Sequence, residues 1–401
     1  MPDWMSTTIG ELLEGDGGSV KTGPFGTVLK ASEYSPVGVP VISVGEVRHG
    51  ELVIQEKTPR VSAQVTARLP EYVLREGDIV FARKGAVDRS AYVKLAQDGW
   101  FLGSDGIRLR FGSKSVPKFL AYQLQVPGVR EWLLQHAAGS TMLSLNQEVI
   151  ERVPIILPSL TEQTAIAEVL GALDAKISHN IHIETLADDF LASLIRRTIA
   201  DARVDDVLLG EIATVNGTSI APNGGTLRYV DIASVGDGRY DFPSPISWDE
   251  APSRARRKVS RGDTLWSTVR PGRRSHALNL FDDLSLVAST GLAVLTPRTV
   301  GFAYLYEVTK LPAFSAYLET VAEGSAYPAV RADRFSMAPV PMVSGDALRA
   351  FDKVAGTIRE HLHSLSMESA RVTATRDALL PALMSGRLRV RDAEYIIEDA
   401  V

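Results

Sequence analysis

Several stretches outline reactive sites and then lack the residue the chemistry needs. Gly17-Gly18-Ser19-Val20-Lys21-Thr22 resembles a phosphate loop, but Val20 stands where a Gly must directly precede the Lys. Lys21-Thr22-Gly23 and Ser115-Val116-Pro117-Lys118 copy two serine-acylase motifs in reversed chain order. His179/His182 and His361/His363 fall on helical patterns with no carboxylate-and-His set at metalloprotease spacing, so no metal is expected. There is no Gly-x-Gly-x-x-Gly, and no Pro-Pro-Tyr/Phe of the kind amino-methyltransferases use on a flipped base. Cys is absent, which removes thiolate nucleophiles, disulfides and Cys-ligated zinc and fits a cytoplasmic protein. The residues therefore predict no catalytic set and no cofactor.

What the loops do carry is clustered cations. Arg83-Lys84-Gly85 and Arg89-Ser90 form one group. Arg254, Arg256, Arg257 and Lys258, then Arg270-Pro271-Gly272-Arg273-Arg274, form another. Small residues beside Arg allow close approach to a phosphate, and the planar guanidinium suits bidentate reading of guanine edges. A charge run is commonly just a solvated face; its recurrence is what favours nucleic acid.

The recurrence belongs to an internal repeat. Ile9-Gly10-Glu11 matches Leu209-Gly210-Glu211 at an offset of 200. An offset of 185 pairs Gly77-Asp78-Ile79-Val80-Phe81 with Gly262-Asp263-Thr264-Leu265-Trp266, and Arg89-Ser90 with Arg274-Ser275. The same offset pairs Ser104-Asp105-Gly106 with Ser289-Thr290-Gly291, Gly139-Ser140 with Gly324-Ser325, and Pro154 with Pro339. Strands are expected at 39–44, 78–82, 106–111 and 227–232, bounded by Gly, Asp and Pro. Helices are expected near 117–125 and 128–136, and again near 301–309 and 312–321.

A long helical stretch follows each copy. Ser159 and Glu162 have capping-box spacing after Pro158, and apolar residues then recur at Ile166, Leu170, Leu173, Ile177, Ile181, Leu191 and Ile195. The run to Ala200 would extend about 57 Å. Its echo places Ala355, Ile358, Leu362, Leu365, Ser369, Val372, Arg376, Leu379 and Leu383 at steps of three and four, with Pro381 expected to loosen the last turn and Gly386 to stop it. Narrow stripes this long want a partner helix. The expected fold is α/β: two globular, β-rich recognition domains joined by two long antiparallel helices, with an internal twofold repeat. The divisions are 1–157, 158–200 (first helix), 201–343, and 344–401 (second helix and short tail).

Four motifs in order carry a family resemblance. They are Lys21-Thr22-Gly23-Pro24-Phe25-Gly26 with the Gly38–Ile42 strand, and Gly77-Asp78-Ile79-Val80-Phe81-Ala82-Arg83-x-Gly85. The others are Leu157-Pro158 to Glu162-Gln163, and Arg376-Asp377-Ala378-Leu379-Leu380-Pro381-x-Leu383-Met384-Ser385-Gly386. Together the chain resembles the DNA-specificity subunit of type I restriction–modification systems. The resemblance implies a subunit without catalysis of its own. Each of two target-recognition domains would read half of a split double-stranded DNA site. Paired helices would hold two methyltransferase subunits, with motor-nuclease subunits as further partners in phage defence. The DNA-facing set would be Lys21, Thr22, Arg83, Lys84, Arg89, Ser90 and Ser140 in the first domain. In the second it would be Arg254, Arg257, Arg270, Arg273, Arg274 and Ser325. Pro158, Glu162 and Gln163 would meet the methyltransferase partner. The second half departs from the pattern: Asn216-Gly217-Thr218 stands for Thr-Gly-Pro-Phe-Gly, and Val343-Ser344-Gly345-Asp346 lacks the Glu-Gln pair.

Net charge is −5, where a free DNA-binding domain is usually basic. Segment 158–200 holds three Lys/Arg against six Asp/Glu, so the charges can be segregated by face. The alternative reading is a non-catalytic helical scaffold whose two modules bind protein or RNA. No run is apolar enough to span a membrane, and Met1-Pro2-Asp3-Trp4 has no basic leader pattern.

Overall fold

The computed structural model describes residues 4–400. Met1, Pro2 and Asp3, which carry most of the leader reading, lie outside the described residues, as does Val401 of the expected tail. The chain divides into two compact units, one running to Ser178 and resuming at Ser369, the other being His179–Glu368.

In the first unit Met5–Thr8 pairs antiparallel with Pro154–Leu157, closing the module's ends on each other. The helix Ile9–Asp16 starts on a complete capping box between Thr8 and Glu11 and stops at Gly17 with φ +66. A four-stranded sheet follows in the order Ser19–Thr22, Gly106–Arg110, Ile79–Ala82, Ser90–Tyr92. Ile79–Ala82 is buried on both faces, which its unbroken apolar sequence requires. Phe81, Ile107 and Leu109 pack with Phe119, Leu120 and Leu133 of the helices Pro117–Gln123 and Pro127–His136. A second sheet pairs Val39–Ile42 in parallel with Phe101–Leu102.

The second unit repeats this plan. Val204–Leu208 pairs with Pro339–Val343, and the main sheet runs Ala213–Val215, Leu292–Pro297, Thr264–Ser267, His276–Leu278. Thr226–Val230 again runs parallel to its neighbour, Leu286–Ser289. The repeat slips once. Phe81 pairs with Ser90, but Trp266 pairs with His276, so the second hairpin holds one extra residue. Ala82 N–H donates to the Arg89 carbonyl, and Ser267 N–H to that of Ser275. Arg89 is therefore equivalent to Ser275, not to Arg274 as the constant offset implied.

The long helices are Leu160–Asp201 and Gly345–Met384. Their ends come within two residues of the expected ones, and Pro381 lies inside the second. Gly386 turns the chain at φ +67. The tail then forms a further helix, Val390–Ala400, which the sequence reading missed. In the first unit Leu170 and Leu173 of one long helix share a core with Val372, Leu379 and Leu383 of the other. In the second, Asn180 bonds Glu368, Asp188 pairs with Arg359, and Leu191 and Ile195 share a core with Phe351 and Ala355. The partner number falls as the first helix advances, so the helices run antiparallel. The buried stripe is less apolar than expected at mid-helix: Ile181 is exposed and Asn180 is buried in its place.

Each module is pinned to the helices at equivalent points. The helix Pro117–Gln123 begins with Val116 N–H donating to Gln163 Oε1 at 2.9 Å. Its counterpart Phe302–Thr309 begins with Gly301 and Tyr304 N–H groups donating to the Asp352 carboxylate at 2.8 and 3.0 Å. A long-helix side chain thus caps a module helix in both halves. One turn further on, Tyr122 donates to Asp174, which also holds Arg376 at 2.8 Å. At the same places in the repeat, Glu307 takes the Arg359 guanidinium, which reaches Asp188 at 2.7 Å.

Candidate nucleic-acid interface

The main-sheet hairpin of each module ends in the cationic loop. In the first, Gly85 takes φ +71 and its N–H donates to the Leu143 carbonyl at 2.8 Å. This lays the loop against a second turn, closed by reciprocal backbone bonds between Ala138 and Ser144. Arg83 lies over the exposed Phe25 ring at 5.4 Å, and its Nε is buried without a hydrogen bond. Lys84 pairs with Asp105 at 3.0 Å. Thr22 accepts from Gln147 at 3.0 Å. Phe25, Arg83, Lys84 and the Asp105 turn are thereby gathered, with exposed Ser140 on the neighbouring turn. Half-buried Arg89 closes the hairpin, and it and Arg130 add to the burial that lowers the His49 pKa.

Two expected members fall outside this group. Ser90 is buried in its strand and cannot face DNA. Lys21 lies over the Tyr72 ring at 5.0 Å, on the strand face opposite Thr22.

The second module builds the same pair of turns. Arg270 N–H donates to the Pro328 carbonyl at 2.7 Å, as Gly85 does to Leu143. Arg270 thus occupies the left-handed position held by glycine in the first module, with φ +52. That conformation costs an L-residue about 1–2 kcal/mol. Its guanidinium lies 4.5 Å over the Tyr327 ring. Arg273 is exposed; Arg274 is also left-handed, at φ +54, and donates to the Lys310 carbonyl at 2.7 Å. Ser325 is exposed on the adjoining turn. Arg254 and Arg257 belong to the other sheet's side and reach the Thr290 backbone, the counterpart of the Asp105 turn. Burial lowers the Arg257 pKa.

The expected partner residues sit at the first long helix's start. Ser159 Oγ accepts from Glu162 N–H at 3.3 Å, which is half of the expected capping box. Glu162 is partly exposed, whereas Pro158 is buried. Gln163 is 2% exposed and bonded at both ends, to Val116 N–H and the Pro158 carbonyl. It faces inward, and its capping role for the module helix was not legible because that helix is remote in sequence. Among the described residues no cluster of His, Asp and Glu could hold a metal ion, and no helix is long and apolar enough to cross a membrane.

Residues 1–185 match the family model described as the type I restriction modification DNA specificity domain. The stretch so matched, the first module and the start of the first long helix, carries that DNA-specificity domain. Specificity subunits of these systems are the DNA-recognition component and carry no catalysis themselves. The fold is similar to the crystal structure of a type I restriction-modification S subunit from M. genitalium, at 15% identity and a TM-score of 0.63. That match covers 95% of this chain and 96% of the other. The HsdS subunit from Thermoanaerobacter tengcongensis also matches, at 17% identity and a TM-score of 0.34, over 96% of this chain and 98% of that one. No curated protein matches the sequence. The family model ends inside the first long helix; for the second half of the chain, the likeness is one of fold.

Proposed function

We propose that this chain is a specificity subunit that reads a split site in double-stranded DNA, one half per module, and directs adenine methylation by two methyltransferase subunits in the cytoplasm. Motor-nuclease subunits joining that complex would cleave unmodified sites. The supporting observation is the duplicated pair of turns, which presents cations on the corresponding hairpin loop of each module, Arg83 and Lys84 in one and Arg270 and Arg273 in the other, at different positions along that loop. Loops on a rigid sheet suit recognition, because the scaffold fixes them while their sequences vary. Glu162 and the outer faces of the long helices are left for the methyltransferase subunits, which would supply much of the phosphate grip that a net charge of −5 cannot.

The test is methylation by the assembled complex on variants of its mapped site. Arg83→Ala with Lys84→Ala should relax or weaken the reading of one half-site, and Arg270→Ala with Arg273→Ala the other. Variants of one module that alter preference in both halves would overturn the assignment.

A further inference from the structure

Both modules present one large apolar side chain at the same exposed point. Met142 is 59% exposed and Tyr327 is 69% exposed, and they stand at the repeat offset of 185. Each lies near the tip of a turn whose ends bond reciprocally, Ala138 with Ser144 and Glu323 with Ala329. Gly139 and Gly324 open these turns at φ +107 and +100, and a Cβ on Gly139 would stand 2.4 Å from the Met142 carbonyl oxygen. These are defined turns, bonded to the cationic hairpins beside them. A single exposed apolar side chain needs no explanation. The same placement twice does, because the turn sequences otherwise differ: Thr141-Met142-Leu143 against Ala326-Tyr327-Pro328.

The surroundings say what surface this suits. Lys84 and Arg83 neighbour the first tip through the Gly85–Leu143 bond, and Arg270 covers the Tyr327 ring. An apolar point among cations complements a polyanion with apolar material behind its charge. Duplex DNA has that build, with stacked bases behind phosphates, and apolar wedges between base steps are a known way of kinking it. We infer that Met142 and Tyr327 are wedges that enter the duplex, one in each half-site, while the neighbouring cations hold the flanking phosphates. This rests on the DNA reading above and adds to it a deformation of the site. A wedge replaces no counterion, so its contribution is insensitive to salt, unlike that of the cations.

The experiment uses the full chain assembled with its methyltransferase subunits, on duplexes carrying 2-aminopurine at successive positions of each half-site other than the methylated adenines. Binding should brighten the probe at one step in each half. Met142→Ala should abolish the brightening in one half only, and Tyr327→Ala in the other. Each should weaken binding roughly tenfold with the salt slope unchanged, whereas Arg273→Ala should keep the brightening and lower the slope by about 0.9. Tyr327→Leu should preserve the wedge. The side chains are exposed, so matched melting temperatures check that folding is intact. Alanine variants with wild-type brightening and affinity, or with a reduced salt slope, would overturn the wedge and leave the DNA reading standing. A wild-type complex that prefers no sequence would overturn both.

Discussion

The buried ion cluster that ties the second module to the helices offers a sharp quantitative test. Glu307 is 1% exposed and Arg359 8%, and the guanidinium bridges Glu307 and Asp188 while lying 4.7 Å over the Tyr306 ring. Burial acts to lower the Arg359 pKa, but Glu307, Tyr306 and Asp188 together hold it above its ordinary value. Replacing Arg359 by Met keeps the packing volume and strands the carboxylate. The remaining cation, Lys310, stands 3.6 Å from Glu307, and Glu307 Oε2 already lacks a hydrogen bond. Breaking one side of a buried pair typically costs about 3–5 kcal/mol, and Lys310 moves the expectation to the lower end, near 3 kcal/mol. Glu307→Gln alone should cost less, about 1–2 kcal/mol, because Arg359 keeps Asp188. The double variant should cost much less than the sum, since no buried charge is then left unpaired. Urea unfolding, followed by hydrogen exchange in peptides of His179–Glu368, gives each stability. An Arg359→Met protein within about 1 kcal/mol of wild type, or strictly additive variants, would refute the claim that the guanidinium holds this carboxylate.

Other expectations follow from single positions. Gln163→Ala leaves Val116 N–H unpaired beneath the surface and should cost about 1–3 kcal/mol while the methyltransferase still copurifies; lost copurification at unchanged stability would reverse that. Arg270→Gly should be more stable than Arg270→Ala by about 1 kcal/mol in thermal melts, since both lose the guanidinium and only Gly accepts φ +52 freely. His276 is fully buried, stacked on Trp266, and burial lowers its pKa from 6.5 to about 4, although the Arg274 carbonyl and Asp237 favour the proton and Lys310 and Arg274 oppose it. The unfolded chain gains a proton below 6.5 that the folded chain refuses until about 4. Stability is therefore full above that window and should fall by up to about 3 kcal/mol as pH drops through it. His276→Phe should flatten the pH dependence, and an equally steep fall in that variant would locate the titration elsewhere.

Much of the fold was legible because its signals are periodic or repeated. The Leu170–Leu173 stripe and the matched Gly-Asp motifs before Ile79 and Thr264 fix the helices and the central strands. Local periodicity failed where tertiary partners decide. The mid-helix seam passes through Asn180 and Asp188, whose partners Glu368 and Arg359 lie far along the chain. An ideal helix drifts from a strict heptad, which carries Ile181 to the surface. The candidate interface was half legible. Gly and Arg clusters marked the hairpins, but one extra residue in the second loop shifted the Arg89 equivalence, and alternation within a strand turned Lys21 away from Thr22. Gln163 looked available to a partner because sequence shows spacing and not burial. The second helix's lack of a Glu-Gln pair has a physical counterpart: Asp352 performs the capping that Gln163 provides in the first half.

Whether this chain chooses where adenines are methylated is decided by mapping methylated adenines in cells carrying the chain with its partner subunits. Two short specific blocks separated by an unspecified spacer should be methylated, and the pattern should vanish when the chain is deleted. Replacing residues 83–89 by alanine and glycine should degrade one block and leave the other intact. An unchanged methylation pattern after deletion, or a single undivided motif that both modules alter, would contradict the account.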